Sequence, residues 1–553
     1  MKKRIIAALL ASALVMALAA CGSKGTTAAP TTKAAEKTEA ADKETDAKKT
    51  DAKETDAKET DAKETDAPAP DAADLPEYTL KYVEIGNQDC SRRGAVEAAI
   101  SEYIKPLINA SIEFQIVAWG DWSEKAITAL QSGQEMDIVF TADWQHYLRS
   151  VQSGSFNALN DPDGPYGDLL AKYGNDITST LNPAFITGTQ INGVNYAVPT
   201  NKELAVPNGW LYNVDKAELY DFVPLKESEG LMKVQEFEPY LAKMKEAEPN
   251  TYPYLFSGGN GDEPWVPGFT NFGVITMVQD PDDNGNFDET IVNMWESDYA
   301  MELCKTMFDW AQKGYIHPDA SLTTFNDSDI FKTGDFLIYQ QPLKGNNIKA
   351  QERVNASGNN ALNIDEIYGQ KKVVTTTHTG GSMLAIPVTS ADPERAMMYI
   401  NMMHRDTDLL NMMLYGVPGE DWEIDEGDEY KRVSIINAEW SGAHGGAWTF
   451  GNTALQTPTI KEDPEKNRLL QEYALDAVPH PSLGFRFDQT NVEALVAALN
   501  NVRDAYERSL YAGAIDPVEN IPKFNEEMKA AGLDEIMAEV QKQYDEWKAN
   551  KEG

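Results

Sequence analysis

The sequence has few basic residues for its length. Its 553 residues include 48 Lys and Arg against 88 Asp and Glu, so the formal net charge is −40. The first 74 residues account for only −2 of this, and residues 75–553 carry −38. Such a field repels phosphate backbones and other strong anions. We therefore expect no nucleic-acid partner, and a small-molecule ligand that is neutral or cationic.

Cysteine and histidine are also scarce. Three cysteines and six histidines give neither a disulfide framework nor a zinc-binding cluster. For Cys90 and Cys304 we expect free, buried thiols, with a disulfide between them as the alternative. The sequence lacks the motifs HExxH, GxSxG and GxxxxGK[ST]. In so acidic a chain, pairs of carboxylates do not by themselves indicate glycoside hydrolysis. We expect no catalytic residue, no cofactor and no metal.

A long apolar run occurs only at the start of the chain. Residues 1–20 combine a basic start with an apolar stretch, which is typical of a secretory signal peptide and falls short of the roughly 20 residues of a spanning helix. The sequence Leu-Ala-Ala-Cys at residues 18–21 resembles the lipobox of bacterial lipoproteins. That resemblance implies that Cys21 is lipidated and anchors the protein on the extracellular face of the cell membrane. An ordinary secretion signal is the alternative.

Residues 21–74 are predicted to form a disordered tether. They contain almost no large apolar side chain, and residues 43–67 are five copies of the pentapeptide KETDA, one of which reads KKTDA. Such a segment buries too little apolar surface to offset the entropy of ordering it. A period of five also moves around a helix and leaves no apolar stripe.

The remaining sequence predicts an α/β fold. Strands are expected at residues 78–85, 111–117 and 136–140, with helices at 96–104 and from Asp121 to about residue 133 between them. This alternation is typical of a parallel sheet with helices on its faces, and ligands of such sheets bind beyond the carboxyl ends of the strands. Further on we expect a hairpin at 272–278 and 290–293, helices at 298–313 and 393–403, a strand at 372–377, and a mostly helical segment at 492–548.

Several stretches resemble extracellular solute-binding proteins of family 1, in the large lipoprotein subgroup with its own C-terminal region. They are IVAWGDWSEKAITALQSGQEMDIVFT, GVNYAVPTN, LAIPVTSADPERAMMYINMM and LYGVPGEDW, followed by a tail that contains PSLGFRFD. The resemblance implies two lobes, each a mostly parallel sheet flanked by helices, which a multi-segment hinge joins and which close on a ligand. We expect lobe 1 at residues 75–199 and 384–452, lobe 2 at 200–383 and 453–553, and hinge segments at 197–201, 384–388 and 450–457.

The resemblance also implies a function. Proteins of this family deliver their ligand to the permease of an ABC importer, which a separate ATPase powers. Eleven tryptophans and the size of the chain favour an oligosaccharide, because aromatic rings stack on the apolar faces of sugars. We expect a monomer that contacts the membrane only through its lipid. A receptor for peptides or another polar nutrient, a surface glycan-processing enzyme, and an adhesive lipoprotein without a hinge are the alternatives.

The candidate ligand-binding residues follow predicted strands or lie near predicted crossings between the lobes. They are Asp89, Asp143, Trp144, His146, Trp210, Trp265, His378 and Trp448. For each aromatic residue, a place in the core is the alternative. Asp89 serves equally well as the N-cap of the following helix.

Other tryptophans are interpreted as packing residues. Trp119 and Trp122 flank a turn and are expected to pack under the first helix, with a place at the edge of the cleft as the alternative for either. Trp295, Trp310 and Trp547 lie in helical surroundings.

Two further patterns suggest metal sites only weakly. Residues 280–288 resemble the first half of a calcium loop, but Ile291 stands where the bidentate Glu is required, and a hairpin turn explains the composition equally well. The methionines of residues 397–413 fall at helical spacing, which is more typical of a core than of a soft-metal site.

Overall fold

A computed structural model describes residues 72–256, the backbone of 269–272, and residues 275–552. The predicted signal peptide, Cys21, residues 21–71 of the predicted tether and Trp265 lie outside these residues. The last three residues of the predicted tether form a 3-10 turn, Ala72–Asp74. Among the described helices, none combines the length and the apolar character needed to cross a membrane.

The described residues form strands and helices throughout. The strands are β1 Tyr78–Gly86, β2 Ala110–Ala118, β3 Ile138–Thr141, β4 Ala197–Pro199, β5 Asn208–Asn213, β6 Tyr254–Leu255, β7 Phe269–Phe272, β8 Ile275–Val278, β9 Val292–Asn293, β10 Ile338–Pro342, β11 Ile364–Tyr368, β12 Val373–Val374, β13 Met383–Ala385, β14 Trp422–Ile424, β15 Val433–Ile435 and β16 Val478–Pro479. The helices are α1 Arg93–Ile108, α2 Trp122–Gln131, α3 Tyr147–Gln152, α4 Leu169–Tyr173, α5 Asn175–Thr180, α6 Pro183–Thr189, α7 Val214–Leu219, α8 Glu238–Ala247, α9 Asp298–Gln312, α10 Asp327–Thr333, α11 Ile348–Ser357, α12 Thr376–Thr379, α13 Pro393–Met402, α14 Thr407–Tyr415, α15 Lys466–Tyr473, α16 Glu493–Tyr511, α17 Pro517–Ala530 and α18 Leu533–Glu552.

The first sheet has the strand order β2-β1-β3-β13-β4. Strands β1 and β2 run parallel over their whole length, so Gly86 and Ala118 lie side by side at their carboxyl ends. Strand β3 is parallel to β1, whereas β13 runs antiparallel to both β3 and β4. The three predicted strands of this region are confirmed. Because β1, β2 and β3 are parallel, the loops that follow them emerge on one edge of the sheet.

Both faces of the first sheet are covered. Side chains of β1 alternate between two cores: Leu80 and Tyr82 pack against α1, α13 and α14, and Val83 and Ile85 pack on the face that carries α2. The methionines of residues 397–413 belong to the first of these cores, as predicted. Helix α2 follows Asp121, but the Asp121 side chain makes no capping bond and pairs with Lys125 at 2.7 Å.

The second sheet has the order β11-β5-β10-β6. It is mixed, because β5 is antiparallel to both β10 and β11 while β6 is parallel to β10. Its larger core joins β5, α8 and α9 to the C-terminal helices α16, α17 and α18. The C-terminal segment is therefore helical, as predicted, and is built onto the second lobe. The predicted hairpin is confirmed by the antiparallel pair β8 and β9.

The segments that cross between the two sheets are hydrogen-bonded to one another. The N–H of Thr200 donates to Ser382 O at 3.0 Å, and the N–H of Asn201 donates to Gly451 O at 2.9 Å. The N–H of Thr453 donates back to Asn201 O at 2.9 Å. Strand β13 places residues 383–385 inside the first sheet, so the second crossing lies just before them and not at the expected 384–388. The residue bounds of the lobes stay a prediction.

Candidate ligand-binding site

Three tryptophans from distant parts of the sequence meet at the edge of the first sheet. Trp119 opens the 3-10 turn Trp119–Asp121 directly after β2, Trp144 lies in the turn Asp143–Gln145 after β3, and Trp448 lies in the turn Ala447–Thr449. The ring centroid of Trp119 is 5.9 Å from that of Trp448 and 6.3 Å from that of Trp144. Trp144 and Trp448 are 6.4 Å apart. We call these three residues the aromatic platform.

Neighbouring residues hold the indole rings of the platform in place, while two of the three rings are exposed to solvent. The Phe140 ring of β3 lies 6.0 Å from Trp144 and 6.2 Å from Trp448. The indole N–H of Trp119 donates to Asn87 Oδ1 at 3.0 Å, and that of Trp144 donates to Gly381 O at 2.8 Å. Even so, Trp119 and Trp144 are 36% and 48% exposed. Adjacent exposed indoles with satisfied polar edges offer an apolar surface to a ligand, not to the core.

Asp143 lies beside the platform in an ion pair with Arg486 of the C-terminal segment. The two groups form parallel bonds, Nε to Oδ1 at 2.6 Å and Nη2 to Oδ2 at 3.0 Å. The Asp143 side chain is 21% exposed and that of Arg486 is 8% exposed. Because a bidentate guanidinium occupies both carboxylate oxygens, Asp143 is a structural anchor of the site.

Two further polar side chains, His378 and Lys202, lie near the crossings. His378 precedes by three residues Gly381, whose carbonyl accepts the Trp144 indole N–H. A Cβ at Gly381 would lie 3.6 Å from Lys202 Cε. Burial, together with the nearby charge of Lys202, lowers the pKa of His378 to about 4, so its ring is neutral at physiological pH. Nδ1 accepts the N–H of Thr375 at 3.4 Å, which leaves the proton on Nε2. The buried Lys202 pairs with Glu203 at 3.3 Å. Neutral imidazole and ammonium donors suit the hydroxyl oxygens of an uncharged ligand.

The same region corrects one secondary-structure prediction. The predicted strand at 372–377 shortens to β12, Val373–Val374, and the chain then enters the one-turn helix α12. The bond from Thr375 N–H to the His378 ring caps this turn. A run of three threonines favours a strand, but here the local cap and the following Gly380 and Gly381 determine the chain direction.

A buried carboxyl group lies next to the turn that carries Trp448. Glu84 of β1 is 1% exposed, and burial raises its pKa to about 8. Its Oε1 accepts the hydroxyl of Thr449 at 3.4 Å, whereas Oε2 has no hydrogen-bond partner among the described residues. His444 Nδ1 lies 4.0 Å from Oε1. That nitrogen accepts the N–H of Gly446 at 2.9 Å, so it carries no proton and gives Glu84 no cationic partner.

Two of the predicted site residues lie apart from the platform contacts. Asp89 is exposed, pairs with Arg93 at 2.9 Å and accepts the N–H of Cys90, while Arg92 occupies the N-cap position of α1. His146 is exposed and adopts a left-handed backbone, with φ of 61°, at the start of α3. Neither residue contacts Trp119, Trp144 or Trp448, and their predicted contact with ligand stays untested.

Trp210 requires a correction. It is 1% exposed, packs edge-on against Phe237 at 4.9 Å, and donates its indole N–H to Tyr254 Oη at 3.2 Å. Strand β5 is covered on both faces, because Leu211 belongs to one core and Trp210 to the other. Trp210 is therefore a core residue of the second lobe, the alternative that the sequence had left open. Trp265 lies outside the described residues.

Three contributors to the site are not among the predicted site residues. For Trp119, packing under the first helix was preferred to a place at the cleft edge, but only its neighbour Trp122 is buried, at 1% exposure. Asn87 and Arg486 were not singled out, since an amide and a lone arginine carry no local signal. The packing assignments of Trp295 and Trp310 are confirmed by their burial, and Trp547 packs partly buried against the same core.

The structure shows the state of the two cysteines. Cys90 and Cys304 are both free, as predicted, but only Cys304 is buried.

Hydrogen bonds within the acidic loop, residues 280–288, engage its oxygen atoms. The Asp282 carboxylate accepts the N–H groups of Asn284 and Asn286, both at 2.8 Å. Lys371 Nζ donates to the carbonyl of Pro281 at 2.8 Å. Because N–H groups and the Lys371 ammonium already donate to these oxygens, the composition of the loop is better explained by a hairpin turn than by a calcium site. The described residues contain no cluster of three metal-ligating side chains.

Cavities elsewhere in the described structure do not involve the platform. One of about 350 Å³ lies beside α11 and α14, and one of about 500 Å³ lies between α6 and α18. None of the three platform tryptophans lines either cavity.

Comparison with known proteins identifies related sequences over most of the chain. Residues 98–416 match the family described as bacterial extracellular solute-binding protein, and residues 481–549 match a domain of unknown function, DUF3502. A carbohydrate ABC transporter substrate-binding protein of Streptococcus pneumoniae serotype 4 is 26% identical over 487 residues, which is 87% of this chain and 93% of that protein.

Solved structures share the fold. The N-glycan transport solute binding protein NgtS of Streptococcus pneumoniae superposes with a TM-score of 0.72 at 24% identity, covering 86% of this chain and 100% of that one. Its complex with Man5GlcNAc gives a TM-score of 0.62 over 86% of this chain and 99% of that one. The alginate-binding protein AlgQ2 gives 0.53 at 15% identity, with 86% and 99% coverage. These structures are two-lobed, and the α/β two-lobed fold predicted from the sequence is confirmed.

Proposed function

Because the chain belongs to the bacterial extracellular solute-binding protein family, we propose that it captures an oligosaccharide at the aromatic platform and delivers it to the permease of an ABC importer. The observation that carries this proposal is the convergence of Trp119, Trp144 and Trp448 beside the crossings. The indole planes are inclined to one another by 18° to 40°. Adjacent indole faces with hydrogen-bonding groups around them match a sugar, which has apolar C–H faces and a hydroxyl rim.

The charge of the chain supports an uncharged ligand. Residues 75–553 carry −38, which disfavours the approach of polyanions. At the site, the carboxylate of Asp143 is already neutralised by Arg486, and the His378 ring is neutral because burial lowers its pKa to about 4. The platform therefore offers stacking and hydrogen bonds without a strong net field. The names of the pneumococcal relatives support a carbohydrate over a peptide.

The mechanism is reversible capture with no bond made or broken. The platform lies on the first lobe, and the second lobe adds its contacts when the hinge closes. A ligand favours the closed form only by the difference between its affinities for the two forms. We further propose that the protein acts as a monomer held at the extracellular face of the membrane by a lipid on Cys21.

Calorimetric titration of the purified protein with a panel of glycans tests this proposal. The panel comprises neutral mannose- and N-acetylglucosamine-containing oligosaccharides, fructo-oligosaccharides, an alginate oligosaccharide and a peptide. We expect saturable binding of one neutral class, with the sugar recovered intact by mass spectrometry. Turnover would favour a glycan-processing enzyme, and binding of the peptide alone would favour a peptide receptor.

Variants of the platform localise the binding. Each stacked ring contributes about 1 kcal/mol, so Trp144→Ala and Trp119→Ala are each expected to weaken binding roughly fivefold. Tyr430 is 57% exposed and lies in the hairpin of β14 and β15, so Tyr430→Ala is the matched control. Unchanged affinity in both tryptophan variants would place the ligand elsewhere.

A further inference from the structure

Arg486 belongs to the C-terminal segment that matches a domain of unknown function. Besides its bidentate pair with Asp143, its Nη2 donates to Gly188 O at 2.8 Å and its Nη1 donates to Gln190 O at 3.3 Å. The guanidinium also lies 5.3 Å from the centroid of the Tyr147 ring. A side chain with 8% exposure and this many partners has one available orientation.

The partner of Arg486 is directly attached to the platform. Asp143 immediately precedes Trp144, and its N–H donates to Gly380 O at 2.8 Å. The Trp144 indole donates to Gly381 O at 2.8 Å. Residues 143 and 144 are thus held from two directions, by the second crossing at Gly380–Gly381 and by the C-terminal segment through Arg486.

Arg486 is itself anchored to both lobes. The adjacent Phe485 packs in the core of the second lobe, where its ring is 5.2 Å from that of Tyr544 of α18. Leu483, three residues before Arg486, packs in a core of the first lobe. The Thr376 hydroxyl of α12 accepts the N–H of Gly484 at 2.9 Å, which ties the same loop to the second crossing. Because this loop contacts both lobes, a shift of the loop also shifts the residues that it contacts, among them Asp143.

We propose that Arg486 is a positioning residue of the ligand site, acting through Asp143 on the orientation of Trp144. By this route the C-terminal segment, residues 481–549, completes the aromatic platform. The inference rests on the proposed function for its effect on affinity, while its effect on the position of Trp144 does not depend on any ligand.

The affinity arm measures glycan binding by calorimetry in four proteins. These are the wild type, Arg486→Gln, Trp144→Ala and the double variant. If Arg486 acts through Trp144, Arg486→Gln weakens binding by up to the roughly fivefold expected of Trp144→Ala in the wild type, and by less than twofold in the Trp144→Ala background. An equal loss in both backgrounds would overturn the proposal, because it would mean direct ligand contact or a general defect.

The matched control is another arginine that reaches the C-terminal segment from α3. Arg149 pairs with Glu493 at 3.2 Å, but the two side chains are 64% and 66% exposed. Arg149→Gln therefore loses an exposed pair with no connection to Trp144, and its affinity is expected to equal that of the wild type. Asp143→Asn/Arg486→Gln removes both buried charges, so it serves where Arg486→Gln alone fails to fold.

A ligand-free arm separates this inference from the proposed function. Hydrogen–deuterium exchange at residues 142–147 and 380–382 is expected to accelerate in Arg486→Gln and to stay unchanged in Arg149→Gln. If the wild type binds no glycan, the proposed function fails, and the exchange result still decides whether Arg486 positions Trp144. Wild-type exchange in Arg486→Gln, or in the double-charge variant used in its place, would overturn the inference.

Discussion

Replacing Glu84 by Gln is expected to remove one component of the pH dependence of stability. Glu84 lies on the face of β1 that packs against α1 and α13, near the phenols of Tyr82 and Tyr399 and 4.0 Å from the unprotonated Nδ1 of His444. Burial is the cause that raises its pKa, from 4.5 to about 8. The carboxyl is therefore protonated in the folded protein at neutral pH, and Gln is close to this form in shape and charge.

The sign follows from proton linkage. Between pH 4.5 and about 8 the folded state holds a proton on Glu84 that the unfolded state has lost. Stability from this group is complete below pH 4.5 and is lost as the pH rises through that window. At about 1.4 kcal/mol per pH unit, the loss amounts to about 5 kcal/mol by pH 8.5. Glu84→Gln should lack this loss.

The measurement is the difference in unfolding temperature between wild type and Glu84→Gln at pH 5, 7 and 8.5. We expect near equality at pH 5 and a progressively more stable variant at pH 7 and 8.5. The difference is needed because the net charge of −40 also destabilises the wild type at alkaline pH. A difference that stays constant with pH would refute the protonated state of Glu84, and a variant that becomes less stable relative to the wild type as the pH rises would contradict the predicted sign.

Three further predictions concern packing. A Cβ at Gly380 would clash with the Asp143 carboxylate, 2.6 Å from its Cγ and 2.8 Å from the Arg486 guanidinium; Gly380→Ala should therefore lower both the unfolding temperature and glycan affinity. Gly94→Ala in helix α1, with open space around it, should leave affinity unchanged and should not lower the unfolding temperature, because Ala is the better helix former. Trp210→Ala should destabilise the fold by about 3–5 kcal/mol in urea titration because it leaves a large cavity; a near-native midpoint would contradict its burial at 1% exposure. A thiol reagent should modify Cys90 in the folded protein and the buried Cys304 only after unfolding; equal rates for the two would be inconsistent with the fold.

The sequence allowed accurate prediction where local pattern decides the structure. The order β1-α1-β2-α2-β3 was recognisable because apolar residues change from a period near two to one near 3.6 and back. Parallel pairing then follows, and with it the expectation that residues after β3 border a ligand. Trp144 was identified by this argument alone, and its 48% exposure accords with it.

The exposure of a side chain was predicted wrongly where it depends on which face of a helix or strand other elements cover. Trp119 and Trp122 lie three residues apart in one turn, yet the first is exposed at 36% and the second is buried at 1%. Trp210 follows a crossing, as a site residue would, but both faces of β5 are covered. Sequence spacing does not reveal which layers of helices cover a sheet, and Arg486 acquires its role only through contacts with residues more than 100 positions away.

The distribution of the site along the chain bears on how binding and closure are coupled. The platform lies on the first lobe, yet Trp144 is hydrogen-bonded to Gly381 in the second crossing, and Trp448 belongs to the segment that leads into the third. The crossings are also bonded to one another through Asn201. A hinge rotation that shifts Gly381 must therefore break its bond to Trp144 or carry the indole with it. Under the proposed function, a ligand that stacks on Trp144 would bind the two hinge positions with different affinity for this reason, and that difference would allow capture at one lobe to bias the other.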